Sequence, residues 1–121
     1  MVRDRLARED EADADLAAAM ELHRRYGHRY ALADALVAAG DILARRGHHE
    51  AAQQPYESGG ELAREIGAPL LEAQAREGGG RALIASGARD EGARLLRAAL
   101  ALYERTGTAD ARRIRESLGR L

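Results

Sequence analysis

The chain has 121 residues and a formal net charge of −1, from 19 basic and 20 acidic side chains spread along its length. That balance argues against a dedicated surface for nucleic acid or for an anionic membrane. Hydrophobic residues make up 45% but aromatic ones only 3%, so the core must be built from Leu and Ala, which favours closely packed helices over a sheet.

Residues 1–26 read as a helix, with Leu6, Ala12, Leu16, Ala19, Met20 and Leu22 in a helical stripe and Glu9–Glu11 placing negative charge early. Gly27 is expected to end it as a left-handed C-terminal glycine. The next helix spans 30–46, with Leu32, Leu36, Ala39 and Leu43 on one face, and Gly47 closes it before a turn at His48–His49. Residues 49–66 follow as a helix kinked near Pro55, because proline inside a helix costs ~3 kcal/mol and each glycine of Ser58-Gly59-Gly60 ~1 kcal/mol. Gly67 stops that helix, and Pro69 sits where a new one can begin.

Helix 70–86 carries Leu70, Ala73, Ala82, Leu83 and the run Gly78-Gly79-Gly80, whose small residues allow close helix approach. Helix 89–106 buries Leu95, Leu96, Ala99, Leu102 and Tyr103, with Asp90 and Glu91 in its first turn. After Gly107, Thr108 can cap a last amphipathic helix over 109–119, through Ala111, Ile114 and Leu118.

These elements are one unit written twice. Ala33, Ala35, Gly40, Leu43, Gly47, Leu62 and Gly67 recur as Ala73, Ala75, Gly80, Leu83, Gly87, Leu102 and Gly107, each pair 40 positions apart. Ala12, Glu21, Leu22, Arg24 and Gly27 match Ala52, Glu61, Leu62, Arg64 and Gly67 at the same spacing. A fixed period in this range marks a stacked helical repeat. One domain results: a half repeat at 1–28, repeats at 30–68 and 70–107, and a polar-faced closing helix at 109–121.

The run Leu36-x-x-Ala39-Gly40-x-x-Leu43-x-x-x-Gly47-x-x-x-x-Ala52-x-x-x-Tyr56-x-x-Gly59 resembles a tetratricopeptide repeat. Residues 76–99 repeat it as Gly79-Gly80, Leu83, Gly87, Gly92, Leu96 and Ala99, with Arg76 in place of a large apolar residue and Gly92 in place of alanine. The 40-residue length exceeds the usual ~34. It is similar to the repeats in the C-terminal regions of actinobacterial transcription regulators, as are Glu61–Pro69, Leu102–Gly107 and Ala111–Leu118. The resemblance implies an all-α, right-handed superhelical solenoid of antiparallel helix pairs, with about six helices. The first helices of the pairs would line a concave groove. By register, Asp34, Val37, Asp41, Arg45, Gln74, Glu77, Arg81 and Ile84 should project into it.

Catalytic chemistry has little support in the residues. The chain contains no Lys and no Cys, which removes a phosphate-binding Walker loop, a Schiff base, a thiol nucleophile and a thiolate metal site. No serine sits in a Gly-x-Ser-x-Gly elbow. His23 and His28 are separated from His48 and His49 by a helix of ~25 Å. His48–His49 reads as a solvated turn, and the acidic run from Glu9 to Asp15 as a solvated face. No metal or cofactor is expected. The function that remains is a cytoplasmic, non-enzymatic scaffold holding a partner peptide or helix in its groove. The alternative is a regulatory, oligomerisation or ligand-sensing domain of a bacterial transcription regulator. With the first helix uncovered on one side, a homodimer is expected through Leu6, Leu16 and Met20.

Overall fold

The backbone is punctuated by Gly47, Gly67, Gly87 and Gly107, whose φ angles of 83°, 71°, 97° and 70° lie in the left-handed region that a Cβ disfavours. Each sits in the same hydrogen-bonded turn. The amide after each glycine donates back to a carbonyl of the preceding helix: His48 to Leu43 at 2.9 Å, Ala68 to Ala63 at 2.8 Å, Ala88 to Leu83 at 2.8 Å and Thr108 to Tyr103 at 3.2 Å. This pattern satisfies the orphan carbonyls of a helix end and reverses the chain.

These turns divide a computed structural model that describes Ala17, Glu21 and residues 23–121 into five α-helices. They are α1 (His28–Arg45), α2 (Gln53–Glu65), α3 (Pro69–Ala85), α4 (Arg89–Thr106) and α5 (Asp110–Gly119). Among the described residues there is no strand, so the fold is all-α. Most of the helix expected over 1–26 lies outside the described residues, as do Leu6, Leu16 and Met20.

Gly27 departs from the pattern. Its φ and ψ of −56° and −45° are right-handed helical, and a π-helical turn over His23–Gly27 runs straight into α1. The expected stop at Gly27 is therefore absent.

Two further expectations change at Pro55 and Thr108. Helix α2 starts only at Gln53, which places Pro55 in its first turn, where no intrahelical partner is needed for the missing N–H. The proline shortens the helix from its start: α2 has 13 residues where α4 has 18. Thr108 does not cap α5, whose N-cap is Ala109; the Thr108 hydroxyl is buried with no hydrogen-bond partner.

Consecutive helices pack on one another, and α1 also touches α3. One core joins Ala33 and Val37 of α1 to Ala52, Tyr56 and Ala63, and to Leu71, Ala75 and Ala82 of α3. The second joins Ala73 of α3 to Leu96, Ala99, Leu102 and Tyr103 of α4, and to Ala111 and Ile114 of α5. Helix α3 thus belongs to both. Leu32, expected on a packed face, is 55% exposed, and Leu70 is exposed as well.

Small residues set the helix spacing. A Cβ on Gly92 would lie 2.6 Å from the Gly80 carbonyl oxygen and 2.6 Å from the Ile84 side chain. Alanine there would have to push α3 and α4 apart, because backbone cannot swing aside. Gly92→Ala should lower unfolding free energy by about 1–3 kcal/mol despite the better helix propensity of alanine. Gly119→Ala, with nothing within 4 Å of its new methyl, should not destabilise. Urea denaturation of the two variants checks the contrast.

Candidate binding groove

A groove of about 660 Å³ runs between α1 and α3, and Tyr56 of α2 forms part of its floor. The ring reaches it because two glycines make room. Cβ atoms on Gly40 and Gly78 would fall within 2.7 Å of ring carbons and of the hydroxyl oxygen respectively. The hydroxyl donates to Asp41 Oδ1 at 2.5 Å. Burial first, and the Asp41 carboxylate second, push the phenol above its ordinary pKa.

Of the residues expected in the groove, Val37, Asp41, Arg45, Gln74, Glu77 and Arg81 line it. Val37 does so with little exposure, because most of its side chain is in the first core. Asp34 is exposed on α1 and does not line the groove. Ile84 points elsewhere: it packs onto the second core and against Gly92 of α4. The repeat register put it on the groove side, but the glycine at 92 opens a slot that draws the side chain toward α4.

The polar groups fall into two sets. Glu77 is spent within the fold. It accepts from the Tyr103 hydroxyl at 3.0 Å, from Arg113 Nη2 at 2.8 Å and Nε at 3.1 Å, and from Arg81 Nε at 3.1 Å. Burial alone would raise its pKa, but the bonds from Arg113 and Tyr103 outweigh it and hold the carboxyl below its usual value. Arg81 is likewise engaged, donating to Ser117 of α5 at 3.1 Å. Asp41 keeps one carboxylate oxygen clear of Tyr56; Arg45 lines the same α1 wall and Gln74 the facing α3 wall.

Ala44, Gly78, Ala82, Ala85 and His49 complete the lining. His49 was expected as half of a solvated turn; it is partly buried, and its Nδ1 is buried with no hydrogen-bond partner. Sequence reasoning also missed Tyr56 and the reach of α5. Gly40 and Gly78, small residues on two helices that flank α2, were the available signal for the tyrosine.

The arrangement can hold an elongated group against an apolar strip, with Asp41, Arg45 and Gln74 supplying direction. Among the described residues, no group of three or more His, Asp or Glu side chains could hold a metal ion. No helix there is long and apolar enough to cross a membrane. No family profile, curated protein or solved structure matches the chain. The class defined by the structure is therefore an all-α protein with a groove across its helix layer.

Glu77 makes the groove wall pH-sensitive. A carboxyl whose folded pKa lies below its usual 4.5 contributes stability above that value and loses it as pH falls through the folded pKa. At neutral pH, Glu77→Gln should lower unfolding free energy by roughly 1.5–3 kcal/mol, as for other hydrogen bonds to a charged group. The gap between variant and wild type should shrink when denaturation is repeated near pH ~3.

Proposed function

We infer that the protein is a non-catalytic interaction scaffold of the tetratricopeptide kind, a right-handed superhelical stack that holds a partner peptide or helix in the α1–α3 groove. The observation that carries this reading is the pairing of an apolar strip with unspent polar groups. Ala44 and Ala85 offer apolar contact, while Arg45, Gln74 and the second oxygen of Asp41 face the same space. Short peptides and amphipathic helices are recognised in this way, by side-chain burial plus a few directional bonds. Glu77 and Arg81, by contrast, hold the wall in place.

The test is a peptide-library screen with the wild-type chain, followed by the same peptides on Asp41→Ala/Arg45→Ala. Loss of these two groups should weaken selected peptides at least ~10-fold, since charge-assisted bonds contribute about 1.5–3 kcal/mol each. Unchanged helix content by circular dichroism would show that the variant is folded. Unchanged peptide affinity in a folded variant would remove the groove from the function.

A further inference from the structure

Helix α1 carries an apolar stripe that its repeat counterpart buries. On α3, Leu71, Ala75, Gly78, Gly79 and Ala82 lie under α2: Leu71, Ala75 and Ala82 share a core with Ala52, Tyr56 and Ala63, and Gly78 and Gly79 face Tyr56. Forty positions earlier stand Ala31, Ala35, Ala38, Ala39 and Ile42 on α1. Here Ala31, Ala35 and Ala38 are exposed, Ala39 is partly so, and Ile42 is 41% exposed. Leu32, beside them, is 55% exposed. The same face is written twice and is covered once.

The repeat also says what covers it. Helix α2, which lies on α3, spans 53–65. The counterpart for α1 is residues 13–25, which include Leu16 and Met20. Side-chain sizes match this assignment. On α2 and α3 a tyrosine at 56 requires glycine at 78, and the counterparts are Leu16 and Ala38, a smaller side chain over a less open site.

A chain that turned at Gly27 as it does at Gly67 would lay this segment on its own α1. It does not turn. Gly27 is right-handed helical, and the π-helical turn leads directly into α1. We propose that the α1 stripe is the docking face for residues 13–25 of a second copy, exchanged reciprocally in a two-fold dimer. Each copy has one such segment and one such stripe, so two copies satisfy both and the assembly closes. The inference is independent of the groove, because Asp41, Arg45 and Gln74 take no part in it.

Cysteine pairing tests the exchange cleanly, since the chain has no cysteine of its own. At the counterpart position, Tyr56 Cβ lies 3.5 Å from where a Cβ on Gly79 would stand, within the range of about 3.5–4.5 Å that a disulfide needs. Leu16→Cys/Ala39→Cys, oxidised mildly, should give a covalent dimer of twice the 13.1 kDa chain mass. Leu16→Cys mixed and refolded with Ala39→Cys should give the mixed disulfide. An intrachain disulfide in a product of unchanged mass would show that the segment returns onto its own α1, and would overturn the exchange. Light scattering of the unmodified chain at micromolar concentration decides independently of the cysteines. A dimer mass that halves in Ile42→Asp supports the docking face, whereas a monomer, or a dimer indifferent to that change, sinks it.

Discussion

The Tyr56 ring is the wedge on which the first half of the molecule depends. It is carried by α2, fits between Gly40 of α1 and Gly78 of α3, and ends in a hydrogen bond to Asp41. One side chain therefore fixes three helices and forms the groove floor. With a core otherwise made largely of alanine, few side chains are long enough to do this. The hydroxyl settles orientation: burying a phenol without a partner would cost far more than placing an apolar ring there.

The second half solves the same spacing differently. The counterpart of Tyr56 is Leu96, and the counterparts of Gly40 and Ala52 are Gly80 and Gly92. Two glycines there bring the backbones of α3 and α4 together, so that a methyl on either would meet the other's carbonyl oxygen. A buried tyrosine still appears, but as Tyr103 at the far end of α4, bonded to Glu77. In both halves a tyrosine hydroxyl on a second helix is held by a carboxylate on a first helix. This gives the groove walls a rigid hydrogen-bonded backing and leaves only part of their charge available to a partner.

The helical class and most helix ends were legible in the sequence because they rest on local chemistry. Four glycines needed positive φ, and the period of 40 fixed which elements correspond. The misses arise where tertiary context overrode that register. At Gly27 the glycine has the same place in the repeat, yet the conformation depends on whether a preceding helix packs back, which composition does not encode. Pro55 looked interior only because α2 was drawn from His49; the proline itself delays the start of the helix. Of the expected groove residues, Ile84 was lost to a slot made by a glycine on another helix, and His49 and Tyr56 enter from outside the helices that supplied the pattern.

The two ends of the helix stack obey different rules, and the difference limits how it can assemble. Ala33 on α1 and Ala73 on α3 are fully buried against the helix that follows. The next member of that series is Arg113 on α5, half-exposed and turned back to chelate Glu77. Gly40 and Gly80 are followed in the same way by Arg120, which bonds Ser117. Guanidinium groups at positions where alanine or glycine receives a docked helix in α1 and α3 would be stranded without water, so α5 does not repeat that docking surface. Helix α1 has no such block on its stripe, where alanines and Ile42 stand in the open. Under the proposed exchange the α1 stripe of one copy takes a segment of the other and the α5 face takes none, so the assembly closes on two copies and does not extend head to tail.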